Sequence, residues 1–193
     1  MKIFLIRHGE AVRTETDIIL TKHGTAQAKK TAQVLSSLPI TRVYVSTATR
    51  AQQTFEEYHK LCPTVSFVKT PKIKEIYKVL VGGPPKEGTS HLREKEDKER
   101  TDSFINELRL LPENENIALF THGNFIRYCF AKALKFNPTN LWENLIISPG
   151  SISLIEMQNG IFYATMINNI EHLPRSDKKS IYYDRLTKEE YFS

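Results

Sequence analysis

The chain has 193 residues, of which 40% are hydrophobic and 25% charged, and a formal net charge of +5. This is ordinary globular composition at a length that fits one domain over 1–193 with room for a small insertion. No apolar run approaches the roughly 20 residues needed to cross a bilayer.

Ile3 to Ile6 ahead of Arg7 is too short for a signal-peptide core, so a cytoplasmic protein with no membrane partner is expected. Cys62 and Cys129 form no CxxC pair and are expected to be thiols. The six histidines are scattered, so neither a metal site nor a cofactor is expected. An isoelectric point near 9.1 favours anionic partners, with nucleic acid and a small phosphorylated substrate as the two candidates.

In chain order, KIFLI (2–6) reads as a buried strand that stops at Arg7-His8-Gly9. Leu20 to Leu38 reads as a helix with Thr21 as its N-cap, and Pro39 follows it. RVYVS (42–46) is a second strand, and a helix from Ala48 follows, closed by Pro63. TVSFV (64–68) reads as a third strand. Residues 69–111 form a loop and helix insertion: Gly82-Gly83-Pro84-Pro85 must be loop, and His91 to Leu111 is helical. NIALFTH (116–122) is a fourth strand, followed by a helix over 124–134. SISLIEMQ (151–158) and IFYATMIN (161–168), joined by Asn159-Gly160, predict a β-hairpin. The tail from about 175 shows no clear period. Alternating strands and helices predict a three-layer α/β/α sandwich around a mostly parallel sheet with an antiparallel edge.

In such a sheet the ligand site lies outside the carboxyl ends of the strands. Three predicted strands end there in reactive residues: Arg7 and His8, then Ser46 with Arg50 one turn later, then His122 and Gly123. Guanidinium groups grip phosphoryl oxygens bidentately, and helix N-termini add N–H donors. A neutral imidazole in line with a leaving oxygen can attack phosphorus to give a phosphohistidine. In this reading Gly9 lets the backbone pass close to the phosphate, and Arg7, Arg50 and a protonated His122 neutralise the transition state. The leaving oxygen needs a proton, for which Glu75 is the best-placed donor and Glu10 and Glu87 are rivals.

These residues resemble the histidine phosphatase superfamily, the phosphoglycerate-mutase-like clan, from Lys2 to about Asn168. Arg7-His8-Gly9-Glu10 is similar to its amino-terminal RHG motif, which carries the nucleophile. Asp17, Leu20-Thr21, Gly24 and Gln27-Ala28 follow its D-x-x-LT-x-x-G-x-x-QA pattern. Ser46, Arg50-Ala51 and Gln53-Thr54 resemble its phosphate-binding stretch. His122-Gly123 resembles the late H-G motif, Glu75-Ile76 falls where the proton donor is expected, and Glu87-Gly88-Thr89 echoes a downstream E-G-T.

Thr47, Ala48 and Thr49 stand where Pro-Leu-x is usual, and Ile19 replaces a common proline. VRTETDII (12–19) replaces the asparagine-rich stretch of glycolytic mutases. Asn124 stands where the acid-phosphatase branch carries aspartate. The resemblance therefore implies the phosphatase branch: phosphomonoester hydrolysis with His8, Glu75 and His122 catalytic and Arg7, Arg50, Gly9, Gly123 and Arg13 binding substrate. Its partner would be a small phosphorylated substrate or a phosphoprotein. A mutase and a non-catalytic phospho-ligand module are the alternatives. Nucleic-acid binding rests on charge alone and is not expected.

Asn124 reads as a helix cap and Trp142 as packing. His23, His59, His91 and His172 read as surface or packing residues, and REKEDKER (93–100) as a solvated helix face. Lys69, Lys72, Lys74, Lys78 and Lys86 either line an entrance or form a solvated loop. Neither the natural substrate nor the oligomeric state can be read from the sequence.

Overall fold

The computed structural model describes residues 1–85, 91–174 and 176–177. The tail expectation beyond these, Lys86, and the Glu87-Gly88-Thr89 match with its rival donor lie outside the described residues. Strand β1 (Lys2–Arg7) is buried from Ile3 through Ile6. A continuous apolar run is what a strand covered on both faces requires. A short hairpin follows, β2 (Ala11–Arg13) and β3 (Ile18–Leu20), before helix α1 (Lys22–Leu35). Then come β4 (Arg42–Ser46), α2 (Thr49–Leu61) and β5 (Phe67–Thr70). Single 3-10 turns at Pro71–Ile73 and Lys78–Val81 lead to α3 (His91–Arg109). The chain continues with β6 (Asn116–Thr121), α4 (Gly123–Leu134), the short α5 (Leu141–Asn144), β7 (Ile152–Gln158) and β8 (Ile161–Asn169).

Among the described residues, six strands form one sheet in the order β5-β4-β6-β1-β7-β8. β1, β4, β5 and β6 run parallel, and β7 and β8 add the expected antiparallel edge. Side-chain alternation sorts the strands onto two faces. Ile3, Leu5, Ile117 and Leu119 pack with Phe104, Ile105 and Leu108 of α3 and Phe125 and Phe130 of α4. Phe4, Ile6, Val43, Val45, Ala118 and Phe120 pack with Ala32 and Leu35 of α1 and Phe55 and Tyr58 of α2. This is the predicted three-layer sandwich.

Local chemistry sets the element ends. The Thr21 side chain accepts the Gly24 N–H at 2.9 Å and caps α1 as expected. Asn159 and Gly160 both have positive φ, 50° and 72°, which closes the β7–β8 hairpin with the twist a two-residue turn needs. The third sheet strand differs from its expectation. Val43 pairs with Phe67, so β5 begins at Phe67 and not at Thr64, because Cys62 to Ser66 are used in leaving α2. The β2–β3 hairpin was not foreseen, since three-residue strands carry too little alternation to be read. A turn in which Thr14 N–H donates to the Asp17 carbonyl at 2.8 Å holds it.

The loop after β1 and helix α1 meet backbone to backbone. A Cβ on Gly24 would lie 1.9 Å from the Glu10 carbonyl oxygen, and one on Gly9 would lie 2.3 Å from the Gly24 carbonyl oxygen. Gly24→Ala must therefore push α1 and this loop apart. We expect it to cost about 1–3 kcal/mol, read as a lower midpoint in urea unfolding; an unchanged midpoint would mean that the contact yields freely.

Candidate active site

Strand register brings the reactive residues together. Arg7 lies opposite Thr121, and Val45 opposite Phe120, so His8, His122 and Ser46 emerge at one level from three adjacent parallel strands. The His8 and His122 rings meet edge to face with centroids 5.2 Å apart. Arg50, in the first turn of α2, donates its Nε–H to His8 Nε2 at 2.9 Å.

The other His8 nitrogen, Nδ1, lies 2.7 Å from the Gly9 carbonyl oxygen. A carbonyl can only accept, so Nδ1 carries the proton and the lone pair is on Nε2, where it accepts from Arg50. His122 Nε2 lies 2.8 Å from Ser46 Oγ. Among the described residues, the pocket nitrogens Arg7 Nε and His122 Nδ1 are buried without a hydrogen-bond partner. Buried donors of this kind suit an anion.

The backbone behind the pocket is tied down by the segment that leads into β7, the strand next to β1. Arg7 Nη1 donates to the Ile147 carbonyl. The Gly150 N–H lies 3.1 Å from both the Arg7 and His8 carbonyl oxygens. Gly150 reaches this position with a φ of +72°, which favours glycine. Sequence reading missed both supports, and only the glycine offered a signal. On the other side the Gly9 N–H donates to Thr54 Oγ1 at 3.2 Å, and Thr54 Oγ1 donates to the Arg50 carbonyl at 2.8 Å.

Gly9 itself is explained differently from the sequence reading. Its missing Cβ makes room for the Gly24 backbone. Gly123 opens α4, and a Cβ there would sit 3.5 Å from Arg7 Nε.

Glu75 follows β5 on a half-buried loop. One of its carboxylate oxygens, Oε1, accepts the Asn124 N–H at the start of α4 at 3.0 Å. Asn124 is not the helix cap that the sequence suggests: it lies within the first turn of α4, where His122 is the N-cap. Its side chain donates to the Ile76 carbonyl at 3.4 Å and accepts from Arg127 at 3.0 Å. Burial pushes the Glu75 carboxyl above its ordinary range, while Arg7, Arg50 and the N–H groups of Asn124 and Phe125 oppose the rise.

The rival Glu10 is exposed and accepts from Thr21 Oγ1 at 2.7 Å. Arg13 is exposed on β2, near enough that its charge lowers the Arg50 pKa. Of the flanking lysines, Lys72 is engaged by Glu107 at 2.6 Å. Trp142 lies between the cationic groups of Lys78 and Arg127, 5.5 and 5.2 Å from its ring centre.

Burial and then the Arg7 charge push the His8 pKa down to about 3. Burial, His8 and the arginines hold His122 well below its ordinary value. The sequence reading took His122 as protonated in the transition state; burial and the neighbouring cations favour the neutral ring, so its proton would have to accompany a bound phosphate dianion.

A sequence profile of the histidine phosphatase superfamily, branch 1, matches residues 3–170. The chain belongs to this superfamily. It is 31% identical over 189 residues to a mitochondrial serine/threonine-protein phosphatase PGAM5 of Xenopus laevis, covering 89% of this chain and 66% of that protein. A probable phosphatase of Schizosaccharomyces pombe is 29% identical over 202 residues, with 90% of this chain and 95% of that one covered. The chain thus spans slightly less than two thirds of the PGAM5 relative. A phosphoserine phosphatase of Entamoeba histolytica, solved with 3-phosphoglyceric acid, superposes with a TM-score of 0.71 at 23% identity, covering 90% of this chain and 99% of that one. That likeness confirms the fold.

The neutral histidines make acid a threat to the fold. The unfolded chain takes up their protons near pH 6.5, whereas folded His8 does so only near 3. Stability should be full above pH 6.5 and fall progressively towards pH 3. Thermal melting across that window should show a shallower decline in His8→Ala than in wild type; equal slopes would contradict the depressed pKa.

Proposed function

We propose that the protein hydrolyses phosphomonoesters through a covalent phosphohistidine on His8. The observation that carries this reading is the His8 tautomer. The Gly9 carbonyl fixes the proton on Nδ1, so Nε2 is a neutral nucleophile beside Arg50 at any ordinary pH.

In the first step Nε2 attacks phosphorus, the P–N bond forms and the P–O ester bond breaks. Arg7, Arg50 and His122 hold the equatorial oxygens, Gly123 leaves room for Arg7 at the start of α4, and Arg13 stands at the rim. Glu75, whose pKa burial raises, acts from its protonated form and gives that proton to the departing oxygen. In the second step the Glu75 carboxylate takes a proton from water, whose oxygen attacks phosphorus and breaks the P–N bond. Phosphate leaves, and neutral His8 and protonated Glu75 are restored. Arginine charge does the work of neutralisation, so no step calls for a metal.

The substrate class in this proposal is a phosphoprotein or a small phosphorylated molecule. The named activity of the PGAM5 relatives supports the former. A cytoplasmic setting goes with the proposal, supported by Cys62 and Cys129 being free thiols.

Turnover of p-nitrophenyl phosphate by wild type should survive a chelator and fall by roughly 10³-fold or more in His8→Ala. Quenched wild type should carry an acid-labile phosphoryl group absent from His8→Ala. Turnover that survives loss of His8 would refute the proposal. Isomerisation of 3-phosphoglycerate with a bisphosphate primer, without phosphate release, would replace it with a mutase.

Because Glu75 must be protonated, hydrolysis of alkyl phosphates should decline as pH rises through its elevated pKa. Glu75→Gln should lose that basic limb in a kcat–pH profile; if the limb persists, Glu75 is not the donor.

A further inference from the structure

The charged first half of α3 is not simply the solvated face that its REKEDKER sequence suggests. Most of it is exposed, with pairs such as Lys98–Asp102 at 2.8 Å along the surface. Two residues turn inward instead. The buried face of α3 runs through Asp97, Thr101, Phe104, Ile105 and Leu108. This is the i, i+4, i+7, i+8, i+11 stripe of a helix docked on a core. Asp97 thus places a carboxylate on a stripe that is otherwise apolar or neutral, where a hydrophobic residue would cost nothing to bury.

Its partners explain the placement. Asp97 Oδ2 accepts the Tyr77 N–H at 2.8 Å, and Oδ1 accepts from Arg100 Nη2 at 2.5 Å. The Arg100 Nη1 group donates to the carbonyls of Pro71, Lys72 and Lys74, at 3.1, 2.8 and 3.3 Å. The pair therefore grips the chain on both sides of Glu75: Arg100 the three carbonyls before it and Asp97 the N–H two residues after it.

A third tie comes from the sheet, where Thr121 Oγ1, next to His122, donates to the Ile73 carbonyl at 2.7 Å. Arg100 also lies near enough to the pocket that its charge bears on His122. Glu75 stands on a loop beyond β5 and its 3-10 turn, five residues past the strand end, whereas His8 and His122 directly follow β1 and β6. A proton donor must be held to within a few tenths of an ångström of its leaving oxygen.

We propose that Asp97 and Arg100 are positioning residues that fix the Glu75 carboxyl over the phosphate pocket. The inference rests on Glu75 being the proton donor. It assigns the α3 insertion to the leaving-group half of the site, apart from the strand ends that hold the nucleophile.

The test exploits leaving-group dependence. p-Nitrophenolate departs with little help, whereas phenolate needs a proton, so a misplaced donor should affect phenyl phosphate far more. In Arg100→Met, kcat on phenyl phosphate should drop by about tenfold or more while kcat on p-nitrophenyl phosphate changes by less than about threefold. KM should hold for both, and the basic limb of the pH profile should move. Arg100→Lys, which keeps the charge but not the forked donors, guards against a folding failure and should show the same selective loss.

Glu75→Gln, run in parallel, must show the leaving-group effect at its largest. If it shows none, the donor assignment fails and this inference falls with it. If Glu75→Gln shows it and the Arg100 variants lose both substrates equally or neither, the pair only holds α3 to the fold, and the inference alone is overturned.

Discussion

Arg7 and Arg50 place two positive charges beside two imidazole rings, and burial depresses the pKa of all four groups. Much of the surrounding structure can be understood as the scaffold that holds this unfavourable cluster together. Arg7 is stripped of water and receives the Ile147 carbonyl in exchange. The Gly150 N–H satisfies the carbonyls of Arg7 and His8, which keeps β1 from fraying where the charge sits. In its ionised form Glu75 raises the pKa of both arginines, so this carboxyl is their electrostatic partner whenever it carries charge. A phosphate dianion placed among them would relieve the repulsion.

The parts of this arrangement legible in the sequence were those with strong local signals. β1 and β6 are continuous apolar runs of the length a covered strand needs, and each ends in a reactive residue at the same register. Thr21 and the Asn159-Gly160 turn are chemical signals that do not depend on tertiary context. Together with the ordered motifs they located His8, Arg7, Arg50 and His122.

What escaped reading was relational. Gly9 matters because of Gly24, a neighbour 15 positions away that only folding brings within reach. The start of β5 is set by Val43 across the sheet, not by its own alternation. Asp97 sits in a run of charges whose pattern resembles any solvated helix, and its burial becomes visible only when Tyr77 and Arg100 are placed around it. The charge of His122 is relational in the same way: burial and the cations around it favour the neutral ring, and a bound anion would favour the protonated one.

The two halves of the site are built with different rigidity. His8, Ser46 and His122 issue from three hydrogen-bonded strands in the middle of the sheet, where a displacement of one would break the register of all. Glu75 hangs on a loop whose backbone is held by side chains: Thr121 from the sheet, Asn124 from α4 and the Asp97–Arg100 pair from α3. Side-chain ties can be changed one at a time without disturbing the sheet. On the proposed mechanism, a fold divided in this way keeps phosphoryl capture constant, because every phosphomonoester presents the same dianion. The position and proton affinity of the donor can meanwhile be adjusted to the leaving group, which is the part of the substrate that differs.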